Sequence, residues 1–168
     1  KVNYMINMDM VGRLNDSSKT ITIGGFGTSP AWNEILYGVK KPGFNIKIDS
    51  SGSGPSDHTS FYRKDIPVLF FFTGLHSDYH RPSDDAARIN YNGELQIVNY
   101  INTVIQKSQD QGKLAFLKTR EQQTSTSARF SVSMGIMPDY TYSGAGVKVD
   151  GVSDGRPALK AGIQTGDI

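Results

Sequence analysis

The chain has 168 residues, 37% of them hydrophobic, with a net charge of +2 and no cysteine. That apolar content excludes global disorder, and the scattered Lys and Arg residues leave no phosphate-tracking surface, so nucleic acid is not expected as a partner. Without cysteine there are no disulfides and no thiolate ligands, so any metal must be held by His, Asp or Glu. No apolar run approaches the roughly 18 residues needed to span a membrane, and the opening KVNYMINMDM lacks a signal-peptide layout. It reads as the middle of a strand, and GIQTGDI at the other end also stops inside an element; both ends are expected to be cuts.

In chain order, Val2–Val11 begins with alternating apolar residues and predicts a strand released at Gly12. TITI, Thr20–Ile23, is a second short strand, closed by Gly24 and Gly25. Ser29-Pro30 suits a helix start, with Ser capping free amides and Pro at the first helical position. The helix Ala31–Val39 would place Ile35 and Val39 on one face, with Trp32 and Leu36 beside them. FNIKI, Phe44–Ile48, alternates and runs into the Gly- and Ser-rich loop SSGSGPSD. Thr59–Tyr62 predicts one short turn with Phe61 packed inward and Arg63 and Lys64 exposed. Ile66–Phe72 is apolar at nearly every position, as expected of a strand buried on both faces. From Asn92 to about Gln109, Leu95, Val98, Ile101 and Ile105 recur at helical spacing and predict a helix packed on the sheet.

Strands alternating with helices around one doubly buried strand indicate a three-layer α/β/α domain with a mixed central sheet, present in part. Its chemistry belongs in loops at the carboxyl ends of strands. This first domain is assigned residues 1–112. A linker, 113–128, follows, most polar over Arg120–Ala128. Residues 129–168 are rich in Gly with short Val/Ile strands and form a small β-rich unit.

Two residues capable of ligation follow directly on strong strands. Asp9 stands in the otherwise apolar MINMDM, where an unpaired carboxylate is costly; it either caps a neighbouring loop or holds a cation. GLHSDYHRPSDD, Gly74–Asp85, carries His76 and His80. An i, i+4 pair shares a face only on a helix, and Gly74 and Pro82 indicate a loop, so both histidines on one metal is not expected. Asp84 and Asp85 suit supporting partners or a turn cap. Ser56-Asp57-His58 is no hydrolase triad, because consecutive side chains diverge and no G-x-S-x-G elbow occurs. GSGPSD lacks the Lys-Ser/Thr ending of a phosphate loop.

Taken in order, NMDMVGR, then SGSGPSDHTSFYRKDIPVLFFFTGLHSDYHRPSDD, then a long helix after INYNG, resemble the C-terminal half of the co-catalytic zinc aminopeptidases. That group, bacterial leucine aminopeptidases among them, has relatives resembling glutaminyl cyclase and glutamate carboxypeptidase. The resemblance covers about residues 1–110. It implies a mixed sheet between helices, two Zn2+ sharing a bridging carboxylate, and removal of N-terminal residues from peptide substrates by an activated water. It implies further that Asp9 ligates one zinc and His80 the other. Asp57, in the S-D-H-x-x-F element, becomes a supporting or substrate-amine-side residue, Asp84 the acid of an H-x-x-x-D pattern, and His76 is left without a role. The upstream H-x-D and Glu-Glu motifs of such enzymes, the latter carrying the general base, do not occur in this chain. Alone it is therefore expected to hold two zincs poorly, to be inactive, and to aggregate through unpaired sheet edges.

SVSMGIMPDYTYSGAGVKVDGVSDGRPALKAGIQTGDI resembles the first half of a PDZ domain, with GRPALKAGIQTGD matching a bacterial pattern. Pro157 would open a helix Ala158–Ala161 that Gly162 ends. Met134, Gly135 and Ile136 would border a groove in which peptides or protein C-termini add as a strand. The whole reads as part of a periplasmic or extracellular zinc aminopeptidase with an appended, incomplete PDZ unit. The alternative is a non-catalytic peptide-binding protein that keeps the peptidase-like fold and the PDZ unit.

Overall fold

The computed structural model describes residues 2–41, 43–119, 134–138, 144–153 and 155–168. They divide into two units, residues 1–74 with 78–123 and residues 75–77 with 124–168.

The first unit is built on four strands, β1 (Met5–Asp9), β2 (Thr20–Gly24), β3 (Asn45–Ile48) and β4 (Val68–Phe72), in the order β1-β4-β2-β3. β1 runs parallel to β4, β2 runs antiparallel to β4, and β3 runs parallel to β2, so the sheet is mixed as expected. Hydrogen-bonded between β1 and β2, β4 has Val68, Leu69 and Phe71 fully buried, which is why its sequence is apolar throughout. The first predicted strand proves shorter: it ends at Asp9, where Met10 turns left-handed at φ 57° and Val11–Arg13 forms a short 3-10 turn.

Alternation along the strands divides the faces. Ile21, Ile23, Leu69 and Phe71 point into the main core, which α1 (Ala31–Tyr37) and α3 (Tyr91–Gln109) complete. Trp32, Ile35, Leu36 and Val39 are all buried there, as their spacing predicts, although the helix closes at Tyr37. Thr28, fully buried, ties this helix start to the sheet. Its hydroxyl accepts from the Val68 N–H at 2.9 Å and the Trp32 indole N–H at 3.1 Å, and donates to the Gly25 carbonyl at 2.7 Å.

The long helix is found where periodicity puts it, but rotated. Its buried residues are Gly93, Ile97, Tyr100, Ile101, Val104 and Ser108. Of the predicted stripe, Leu95 and Val98 are 59% and 43% exposed, while Ile101 is buried. The face that packs contains a glycine, a tyrosine and a serine, which hydrophobicity alone does not mark. The small residues admit close approach: a Cβ on Gly93 would meet the Asn90 side chain at 2.8 Å.

On the opposite face lies the single-turn helix α2 (His58–Tyr62), whose buried residues are His58 and Tyr62 rather than Phe61. Their spacing of four puts them on one side of the turn. Gly52 is required beneath Tyr62, since a Cβ there would sit 2.2 Å from the ring. The first part of the expected linker also belongs to this unit. Leu114 is buried in the core, the Leu117 N–H donates to the Thr28 carbonyl, and the Thr119 N–H donates to the Tyr62 hydroxyl at 3.1 Å. Residues 113–119 read KLAFLKT, four of the seven apolar, and apolar contact and hydrogen bonds together hold the segment. The rest of that linker, residues 120–128, lies outside the described residues.

In the second unit β5 (Ile136–Pro138) pairs antiparallel with β6 (Val149–Val152), and α4 (Pro157–Lys160) follows with Pro157 in its first turn. Gly162, at φ 82°, takes the left-handed conformation expected just past a helix end. Gly135 is also left-handed, at φ 77°, and a Cβ there would lie 2.2 Å from the Arg156 side chain. The Ser153 N–H donates to the Gly135 carbonyl and the Ala158 N–H to that of Met134. Residues 129–133 and 139–143 of the expected PDZ unit lie outside the described residues.

Candidate metal and peptide site

Asp9 is the last residue of β1 and lies opposite Phe72, the last of β4. Because the two strands are parallel, the segment that carries His80 leaves the same end of the sheet at which Asp9 stands. The Thr73 hydroxyl donates to the Met10 carbonyl and fastens the two strand exits together.

The carboxylate of Asp9 is held from the α2 side. Asn7, two residues back on the same face of β1, donates its amide to the Ser56 hydroxyl at 2.7 Å, and that hydroxyl donates to Asp9 Oδ2 at 3.1 Å. The chain Asn7–Ser56–Asp9 fixes which carboxylate oxygen faces the loop and which remains for another partner. Spacing along the sequence signals Asn7, since alternate strand residues share a face; Ser56 is separated by a long connection and carries no such signal.

His58 packs beneath this chain. It is 2% exposed, and its ring stacks on Phe70 with centroids 4.4 Å apart and planes 13° off parallel. Its Nδ1 is buried with no hydrogen-bond partner among the described residues. Burial holds the imidazole below its usual pKa even though Asp9, Asp49 and Asp57 pull the other way. The ring is thus kept neutral. Asp57 stands exposed at the start of α2, in helical conformation.

The loop after β4 is pinned to the turn after β1. Arg13 donates to Asp78 through one guanidinium nitrogen and to Asp84 Oδ1 at 3.1 Å through another. The Ser83 hydroxyl adds a bond to Asp78 Oδ1 at 2.8 Å. The Ser83 and Arg13 hydrogen bonds together hold the Asp78 carboxyl below its usual range, against burial. Asp84, a sequence candidate, thus partners Arg13. His80 is exposed, left-handed at φ 56°, and stacked on Tyr79 with centroids 4.0 Å apart. His76 falls in the second unit.

No group of three or more His, Asp or Glu able to hold a metal occurs among the described residues. A catalytic zinc takes about three protein ligands, and the described residues do not bring such a set together. Of the residues expected at a peptide groove in the second unit, Met134 is 55% exposed, Gly135 is buried and Ile136 opens β5.

A mixed sheet clasped by helices, with the Asp9 carboxylate and the exit of the His80 loop at one end, defines an α/β domain. The chain belongs to peptidase family M28, whose profile it matches over residues 1–105. It is 32% identical over 76 residues to the uncharacterized protein YfbL of Escherichia coli K12, covering 44% of this chain and 22% of that protein. Its fold is similar to that of the LapA aminopeptidase of Legionella pneumophila. One crystal structure gives a TM-score of 0.52 at 19% identity over 63% of this chain and 30% of the other. A second crystal structure of LapA gives 0.53 at 19% identity over 64% and 32%. The chain therefore spans a third or less of the length of these relatives.

Proposed function

We propose that residues 1–112 are the C-terminal part of a zinc-dependent aminopeptidase catalytic domain. The observation that carries the reading is the placement of Asp9 at the carboxyl end of β1, in register with the strand from which the His80 loop departs. Family membership supports a peptidase and peptide substrates. In this proposal Asp9 contributes a carboxylate to one zinc and His80 an imidazole to the other, with the remaining ligands and the general base supplied by residues outside this chain. Zinc held there would supply a bound water of lowered pKa and polarisation of the scissile carbonyl.

What this chain itself does is orient and exclude. Ser56 and Asn7 hold the Asp9 carboxylate in one rotamer, Arg13 holds the His80 loop through Asp78 and Asp84, and His58 with Phe70 keeps water from beneath the site. Asp57, exposed at the start of α2, is assigned a supporting or substrate-amine-side role in this proposal. Alone the chain is inactive in this account, because its ligand set is partial. We extend the proposal to the second unit, read as part of a PDZ domain whose Met134–Ile136 edge takes peptides or protein C-termini, and to a periplasmic or extracellular location. No helix among the described residues is long and apolar enough to cross a membrane. Zinc analysis of the full-length protein, alongside hydrolysis of aminoacyl-anilide substrates, tests the reading. Two zincs per chain with release of N-terminal residues is expected; activity unaffected by chelation would reject it.

A further inference from the structure

Met10, the residue after Asp9, is left-handed, at φ 57° and ψ 21°. Among the described residues three other non-glycine residues share that sign of φ: Lys19, Asp65 and His80. Side chains with a Cβ avoid this region. Such residues persist where their surroundings over-determine them, and they cluster at functional sites. Two of the four stand at the Asp9 end of the sheet, one directly after the carboxylate and one the imidazole-bearing residue itself.

The ties that hold Met10 are visible bond by bond. Its carbonyl uses both lone pairs. It accepts from the Arg13 N–H at 3.2 Å, which closes the 3-10 turn, and from the hydroxyl of Thr73, one residue past β4. The start of α3 grips the same turn from another side. Asn90 donates its N–H to the Gly12 carbonyl at 2.8 Å and its side-chain amide to the Leu14 carbonyl at 2.9 Å. Arg13, the last residue of the turn, reaches Asp78 and Asp84 in the segment that carries His80. Residues 10–14 are thus joined to the exit of β4, to the start of α3 and to the His80 loop. A turn that only ended β1 would need none of these links, and glycine would make it without strain.

We propose that the left-handed turn at Met10 sets the Asp9 carboxylate against the His80 loop, and that Thr73, which locks the Met10 carbonyl, is a positioning residue for the peptidase reaction. The effect on activity rests on the peptidase reading; the coupling between the two segments rests only on the bonds above. Without the Thr73 hydroxyl the Met10 peptide is free to relax toward the right-handed region, which turns the backbone next to Asp9 and shifts Arg13 with it.

Thr73→Val in the full-length protein keeps the shape and removes the hydroxyl, whereas Thr73→Ser keeps the hydroxyl. Both are read by aminoacyl-anilide hydrolysis and by amide hydrogen exchange over residues 10–13 and 78–85. For Thr73→Val the expected result is kcat lowered about tenfold with KM within about twofold, and exchange about fivefold faster in both segments. Thr73→Ser should restore both readouts. Absence of hydrolysis by the unaltered protein would reject the peptidase reading before any variant is compared, and exchange would still decide the coupling. Exchange unchanged over 78–85 in Thr73→Val, undiminished kcat in an active protein, or Thr73→Ser as impaired as Thr73→Val would overturn the positioning role.

Discussion

Asp9 and His58 show how differently two neighbouring polar residues can be handled. Asp9, at a strand end, has its carboxylate oriented by a single hydroxyl, Ser56, which is itself fixed by Asn7. Partners of this kind typically change metal affinity or activity by about 10–100-fold when removed. Ser56→Ala in the full-length protein should therefore weaken zinc binding within that range while leaving the thermal midpoint nearly unchanged. Unaltered zinc affinity would mean that the Asp9 carboxylate is only a structural cap. His58, by contrast, is buried without a partner for Nδ1 among the described residues. Its folded pKa lies below the unfolded value near 6.5, so the unfolded chain binds the proton more readily. The stability it contributes is full above about pH 6.5 and is lost as pH falls toward its folded pKa. His58→Gln should flatten the decline in unfolding free energy between about pH 7 and 5; the same slope in both proteins would contradict the assignment.

Among the elements, the two loops at the Asp9 end depend on one arginine. Arg13 reaches from the turn after β1 to Asp78 and Asp84, and both its side chain and that of Asp78 are largely buried, at 14% and 12% exposure. Arg13→Ala removes the guanidinium that joins Asp78 and Asp84 to the turn after β1 and should speed proteolytic cleavage within residues 78–85. The segment after α3 makes a separate case. Leu114 is 4% exposed within the main core, so Leu114→Ala should cost about 2–4 kcal/mol in denaturant unfolding. A change below about 0.5 kcal/mol, usual for a surface linker position, would show that this stretch does not pack. Spacings of two or about 3.6 residues located β2, β3, α1 and α3 in the sequence, and a continuous apolar run located β4. Periodicity misplaced the buried face of α3 because Gly93, Tyr100 and Ser108 pack by shape. It passed over residues 113–119 because their anchoring runs partly through hydrogen bonds to Thr28 and Tyr62.

Over the molecule as a whole, the candidate site was legible to the extent that its residues sit in local patterns. Asp9 stands out as an acid within an apolar strand, and the His80 loop as a polar burst after β4. Ser56, Asn7 and Arg13 act across long sequence separations, and only the parallel pairing of β1 with β4 brings their partners near. The parallel pairing of β1 with β4 brings Asp9 and the exit of the His80 loop to one end of the sheet, and membership of family M28 supports the proposal that they serve a peptidase site. The measurement that bears most directly on this is zinc stoichiometry of the full-length protein beside its Asp9→Ala and His80→Ala variants, with aminopeptidase rates on the same samples. Each variant is predicted to stay folded, to lose about one zinc per chain, and to lose activity. Two tightly held zincs and undiminished turnover in either variant would contradict the assignment of that residue as a ligand.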